Sequence, residues 1–203
     1  MNTAFVFPGQ GSQYPGMGKD LYDTFSTAKE IYNKANLISG LDITGISFDS
    51  DESVLSRTQY TQPCLFTLSW VIMELLGDKS KYDGVAGHSL GEYSALSAAN
   101  VISFEDGLRA VTLRGHLMSQ AKEGGMIAPI GSTIEDVKDV SKKLSDKGVI
   151  TVANYNAPGQ YIMSGEPKLF DEATILLKEK GAKKVIVHPV SGAFHSSLME
   201  IAN

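Results

Sequence analysis

Cysteine is nearly absent from this chain of 203 residues, which holds only Cys64. A lone thiol excludes an internal disulfide and any metal site built from several cysteines, and it fits a reducing compartment. Basic residues are also in short supply, with 18 Lys and Arg against 23 Asp and Glu and a formal net charge of −5. That balance argues against a general nucleic-acid binder, although it leaves room for a local basic patch facing an acidic partner. Long apolar runs are missing too. The stretch Ala4-Phe5-Val6-Phe7 stops at Pro8 and follows no basic segment, so it reads as neither a secretory signal nor a membrane span. No internal repeat or low-complexity linker breaks the chain. What remains is an ordinary globular protein, expected to be cytoplasmic, whose 42% hydrophobic residues suffice for a real core.

Against that plain background one stretch is distinctive. Gly87-His88-Ser89-Leu90-Gly91 lies between the short apolar run Val85-Ala86 and a helix-forming run from Leu90 to Ala99. A strand that turns sharply into a helix lifts the central side chain out of the sheet, and glycines two residues to either side leave room for the approach. Ser89 is therefore the candidate nucleophile. The same turn aims backbone N–H groups at the start of the helix toward whatever Ser89 attacks, as a developing oxyanion requires.

Read in order, Thr3 to Phe7 is expected to form a buried strand, followed by the tight loop Pro8-Gly9-Gln10-Gly11-Ser12-Gln13. A dinucleotide fingerprint fails there, because Tyr14 occupies the position that close packing reserves for Gly or Ala. A loop at the carboxyl end of a strand is still where α/β proteins place ligand contacts, which makes Gln10 a candidate. Asp20 to Leu37 reads as one helix with Leu21, Phe25, Ala28, Ile31 and Tyr32 on its apolar side. Thr61-Gln62-Pro63 reads as the start of another, ending at Gly77, with Cys64 as an inert buried thiol. Ser103-Phe104-Glu105-Asp106 has the spacing of a helix cap, and that helix is expected to reach about Lys122. Phe104, Leu108, Val111, Gly115 and Met118 form its apolar face. Arg114 falls at the edge of that sector while Arg109 points away. An inward arginine needs an anion, either a substrate carboxylate or phosphate or one of the chain's own acids.

From Met126 the periodicity changes. Strands at Met126–Gly131, Val149–Asn154, Gln160–Ser164 and Lys184–His188 alternate with helices at Glu135–Leu144 and Pro167–Glu179, and Tyr155-Asn156-Ala157-Pro158-Gly159 joins the middle strands. The order β-α-β-β-α-β is that of a ferredoxin-like lobe. The chain is thus expected to be α/β, with a core formed by residues 1–125 and 189–203 and an inserted lobe at 126–188, the chain returning to the core at about Pro189.

A serine hydroxyl needs a base, and only four histidines are present. His88 adjoins Ser89 and cannot readily turn onto it, and His116 falls on a polar helix face. His195, in the loop Ser191-Gly192-Ala193-Phe194-His195, is preferred over His188, although spacing alone keeps both.

Taken together, Phe7-Pro8-Gly9-Gln10-Gly11-Ser12-Gln13, Gly87-His88-Ser89-Leu90-Gly91-Glu92-Tyr93, Leu113-Arg114-Gly115, Asn154-Tyr155-Asn156-Ala157-Pro158-Gly159-Gln160 and Gly192-Ala193-Phe194-His195-Ser196 resemble the malonyl-CoA:acyl carrier protein transacylase family. The acyltransferase domains of fatty acid and polyketide synthases share that fold. The resemblance implies an α/β-hydrolase-like core with a ferredoxin-like lobe, and transfer of malonyl from malonyl-CoA to the phosphopantetheine thiol of acyl carrier protein, without metal or redox cofactor. It implies Ser89 as nucleophile, His195 as base, backbone N–H groups of Gln10 and Leu90 as oxyanion hole, and Arg114 as clamp for the malonyl carboxylate. Asn156 is implied to line the cleft, and Phe194 to favour malonyl over methylmalonyl. Lys178, Lys180, Lys183 and Lys184 are candidates for a basic face toward the acidic carrier. Members of the family usually continue for roughly another third of their length, and Ser197-Leu198-Met199-Glu200 has the spacing of a helix just beginning, which suggests truncation. An esterase or thioesterase, or an inactive carrier-binding fragment, would carry the same serine motif.

Overall fold

The computed structural model describes residues 2–77, 82–121, 124–188, 190 and 192–202. It is a mixed α/β protein that divides into two compact units, Met1–His116 and Leu117–Asn203. The expected helix end at Lys122, the chain return at Pro189 and the loop residue Ser191 lie outside the described residues.

In the first unit the strand β1 (Ala4–Phe7) pairs in parallel with β2 (Gly84–Gly87), Phe7 opposite Gly87. Parallel neighbours need a long crossover, and here its regular elements among the described residues are all helices: α1 (Lys19–Thr24), α2 (Ser26–Ser39), α3 (Ile43–Phe48), α4 (Glu52–Leu55) and α5 (Thr58–Leu76). Two expectations change. The single helix read over Asp20–Leu37 is two, because Phe25 adopts extended geometry (φ −115°, ψ 126°), ending α1 and beginning α2. Its N–H still donates to Leu21 O and its carbonyl accepts from Lys29, so the apolar spacing runs on across the break unseen, and Phe25 is left 44% exposed. The helix expected to start at Thr61 starts at Thr58 instead. Thr61 does not cap it but turns its hydroxyl back onto the Leu55 and Arg57 carbonyls, while the backbone N–H groups of Tyr60 and Thr61 donate to Arg57 O.

α5 is the hub of this unit. Residues 61–67 are all buried, and the core around it gathers Met17, Tyr32, Ile43, Leu55, Phe66, Leu90, Leu108 and Val111. Cys64 is fully buried there, and desolvation pushes its thiol up to about 12. After β2 come α6 (Gly91–Ala98) and α7 (Phe104–Ser119), the latter capped by Ser103, whose Oγ accepts from Asp106 N at 3.1 Å. The division between the units falls in the last turn of α7.

The second unit runs β3 (Gly125–Ile130), α8 (Ile134–Leu144), β4 (Ile150–Ala157), β5 (Gln160–Gly165), α9 (Phe170–Glu179) and β6 (Lys184–Val187). Its four-stranded antiparallel sheet has the order β4-β5-β3-β6. The five residues expected to join β4 and β5 are mostly strand: pairing continues to Ala157 and Gln160, leaving Pro158 and Gly159 as the loop. Register shifts between Val152 and Asn154 and between Tyr155 and Ala157 mark where β4 departs from regular pairing. The helix expected from Pro167 opens as a 3₁₀ turn, Pro167–Leu169, before α9. A second small core joins Met118, Met126, Phe194 and Met199. The residues after Ser196 form 3₁₀ turns, Ser197–Ala202, rather than an α-helix, with a kink at Met199. Among the described residues no helix is long and apolar enough to cross a membrane.

Candidate active site

The turn at Ser89 is built from close backbone approaches. His88 N donates to Phe7 O at 3.0 Å, Gly91 N to His88 O at 2.9 Å and Glu92 N to Ser89 O at 3.1 Å, so the strand passes into α6 with no slack. A Cβ on Gly87 would collide with the Gly91 carbonyl and Glu92 N, and one on Gly91 would collide with Phe7 O and lie 2.7 Å from Pro8 O. Both glycines are therefore required by space. Between them Ser89 is forced to φ +53°, a left-handed conformation that costs a residue with a Cβ about 1–3 kcal/mol. The non-glycine residues with positive φ among the described residues are Ser89, Asn100 and His195. Asparagine tolerates that region readily, whereas serine and histidine there mark a conformation that the surroundings impose.

Arg114 reaches Ser89 from α7. Its Nη2 donates to Ser89 Oγ at 3.0 Å, its Nη1 to Gln62 Oε1 at 2.7 Å, and its guanidinium carbon lies 5.9 Å from the centre of the Tyr93 ring. Burial pushes the guanidinium below its ordinary value, opposed by the negative potential of Tyr93 and Glu92, yet arginine keeps its charge throughout the working range. Among the described residues no carboxylate forms an ion pair with it, so the internal ion pair weighed from the sequence is not what holds it. Arg109 points the other way and pairs with Asp106 at the surface, 3.4 Å.

Gln10 sits in the loop after β1, its Nε2 donating to Thr58 Oγ1 at 3.2 Å. The backbone N–H groups of Gln10 and Leu90 have no hydrogen bond among those of the described residues. Donors in that state can accept a negative charge without first breaking a bond. Ser89, Leu90, Gln10 and Arg114 thus all belong to the first unit.

The remaining candidates lie in the second. His195 is exposed, at φ +58°, and its neighbours are fixed: Ala193 and Phe194 are buried, and Ser196 Oγ donates to Ala193 O at 2.6 Å. His188, the competing base, has its Nε2 buried without a hydrogen-bond partner among the described residues. Asn156 is exposed on β4 at its second register shift, and Phe194 packs with Met118, Met126 and Met199. Of the four candidate docking lysines, Lys180 is engaged by Asp136 at 3.5 Å and Asp139 at 2.9 Å, while Lys178, Lys183 and Lys184 are exposed. No group of three or more metal-ligating side chains occurs among the described residues.

Comparison with known families decides the class. A model of the acyl transferase domain matches residues 4–203. The chain belongs to the acyl transferase domain family. Over 98% of its length it is 42% identical to the malonyl CoA-acyl carrier protein transacylase of Bacillus subtilis, and 44% identical to that of Staphylococcus aureus strain MRSA252. It spans 64% and 66% of those two relatives. Among solved structures, the Streptococcus pneumoniae MCAT superposes with a TM-score of 0.91 at 43% identity, covering 99% of this acyl transferase chain and 67% of the relative. A malonyl-transacylase in complex with its type II PKS acyl-carrier protein superposes with a TM-score of 0.93 at 36% identity, covering 100% and 67%.

Gln62 is the site residue that the sequence reading missed. Its place in Thr61-Gln62-Pro63 reads as a helix start, yet it stands with Thr61 and Thr67 as a polar group amid a buried helix, 1% exposed. A glutamine in an otherwise apolar helical run must find a partner, and that misfit was available in the sequence.

Proposed function

We propose that this acyl transferase chain moves a malonyl group from malonyl-CoA to the phosphopantetheine thiol of acyl carrier protein through a malonyl ester on Ser89, in fatty acid biosynthesis. The observation that carries the reading is Arg114 Nη2 on Ser89 Oγ at 3.0 Å: a charged carboxylate binder without a carboxylate, set on the hydroxyl that would react. A substrate whose acyl group ends in a carboxylate satisfies both groups, one by bidentate hydrogen bonding and one by attack.

His195 takes the Ser89 proton as Oγ bonds to the thioester carbon. The carbon–sulfur bond then breaks, and the departing CoA thiolate receives that proton. In the second half the pantetheine thiol gives its proton to His195, its sulfur attacks the seryl ester, and Ser89 Oγ leaves with the proton. Backbone N–H groups of Gln10 and Leu90 hold the oxyanion in both halves. Asn156 lines the cleft, and Phe194 favours malonyl over bulkier acyl groups. No step calls for a metal or redox cofactor, and the cytoplasm is the proposed compartment. The carrier assignment is supported by the relatives' names, and the lysines 178, 183 and 184 supply a basic face for an acidic partner.

The finer architecture is proposed on the same footing. A parallel strand turning through Ser89 into α6 supports an α/β-hydrolase-like core, and the β3-α8-β4-β5-α9-β6 order with strand order β4-β5-β3-β6 supports a ferredoxin-like lobe. Assigning 1–125 with 189–203 to the core and 126–188 to the lobe rests on the family resemblance; within the second unit Ala193 lies against Gly124, and Phe194 packs with Met118 and Met126.

The test is intact-mass spectrometry after mixing with malonyl-CoA. A stable malonyl adduct on Ser89, discharged by added carrier protein and absent from S89A, is expected. Release of free malonate from a bare serine would make the chain a hydrolase, and neither adduct nor malonate would overturn catalysis altogether.

A further inference from the structure

We propose that Gln62 is a positioning residue for Arg114, holding the guanidinium through a neutral acceptor so that its charge stays available to the carboxylate of the substrate. This rests on the functional reading above and deepens it. Gln62 is 1% exposed, so its amide oxygen needs a donor, and Arg114 Nη1 supplies one at 2.7 Å. The guanidinium therefore has three neighbours of one kind: the Gln62 amide, the Ser89 hydroxyl and the face of Tyr93. None is a carboxylate, and Glu92, whose negative potential reaches the guanidinium, forms no ion pair with it. A glutamate at position 62 would hold the arginine more strongly and cancel the charge that an arriving carboxylate must find.

The reach between the two residues is itself built into the helices. A Cβ on Gly115 of α7 would lie 2.9 Å from Thr58 O, 3.2 Å from Gln59 Cα and 3.5 Å from Gln62 Cβ. Two turns earlier on α7, a Cβ on Gly107 would lie 2.5 Å from the Phe66 ring. The contacts move back along α5 as they move forward along α7, so the helices run antiparallel, and the missing side chain at 115 brings Gln62 to the residue beside it.

The test compares acyl-enzyme formation from malonyl-CoA and from acetyl-CoA, which lacks the carboxylate, in the unchanged protein, Gln62→Leu and Gln62→Glu. Gln62→Leu removes a hydrogen bond to a charged group, worth about a ten- to hundredfold loss in kcat/KM for malonyl, while acetyl changes by less than about threefold. Gln62→Glu keeps Arg114 paired and the fold intact, and it raises the malonyl KM at least about tenfold with kcat retained, because a fixed carboxylate now competes with the substrate's. If malonyl and acetyl loading fall in the same proportion in either variant, or if Gln62→Glu loads malonyl as the unchanged protein does, the proposal is overturned. If the unchanged protein loads neither acyl group, the malonyl-transfer reading has failed, and this inference fails with it.

Discussion

Gly115→Ala should destabilise the first unit although alanine is the better helix former. Replacing glycine by alanine inside a helix normally stabilises it by about 1 kcal/mol. Here the new Cβ lands 2.9 Å from Thr58 O and 3.2 Å from Gln59 Cα, both backbone atoms that cannot swing aside. Restoring an ordinary contact of 3.4 Å means moving α7 from α5 by about half an ångström, and such overpacking costs about 1–3 kcal/mol. The net is a loss of about 0–2 kcal/mol, set against the gain that propensity alone would give. The only tryptophan, Trp70, lies on α5 with its ring 5.3 Å from Phe104 of α7, so its fluorescence during urea unfolding reports on this contact. The midpoint should fall without a change in slope, and malonyl loading should fall as the 2.7 Å bond between Arg114 and Gln62 is stretched. A midpoint raised by the full propensity gain, with loading unchanged, would refute the claim that close approach of these helices sets the clamp.

If Arg114 holds the malonyl carboxylate as proposed, Arg114→Ala removes two charge-assisted hydrogen bonds of about 1.5–3 kcal/mol each, so malonyl loading should drop by about a hundredfold or more while acetyl loading drops far less. Equal drops in a stopped transfer assay would deny the clamp. Cys64 should react with a thiol reagent at pH 8 only as fast as the first unit opens, since the thiol is fully buried and pushed up to about 12. The same shift has a sign in stability: the folded thiol keeps its proton where the unfolded one loses it, so this contribution is complete below pH 9 and is lost as pH rises toward 12. Rapid labelling of the folded protein would show the burial to be wrong.

What the sequence made legible was whatever depends on short range and strong pattern. Gly87 and Gly91 around Ser89, the Ser103 cap and the alternation of strands and helices after Met126 each follow from local sterics or periodicity, and each appears in the structure within a few residues. The break at Phe25 was hidden because helical spacing counts residues and cannot register one extended φ/ψ pair. Pro63 misled in a different way. Proline is favoured at the first helical position but is not confined to it, and Arg57 provided the actual start. Arg114 and Gln62 can each be seen as a misfit in the sequence, whereas their pairing cannot, because they lie 52 residues apart and only the α5–α7 packing joins them.

That packing also explains why so much of the site depends on residues without side chains. The Ser89 turn exists because Gly87, Gly91 and Gly9 admit neighbouring backbone, the last beneath His88, whose ring Nδ1 would be 2.7 Å from a Cβ at position 9. The hydrogen bond between Arg114 and Gln62 exists because Gly115 admits Thr58 and Gln62 beside it. In each case a polar atom is placed by removing a methyl group from beneath it, and close-packed backbone is stiffer than any side chain that could have been used instead. The chemistry therefore depends, at the polar residues, on single hydrogen bonds that a substitution removes while the helices stay in place. At the glycines it should fail sharply, since a single added carbon moves a whole helix and every donor it carries.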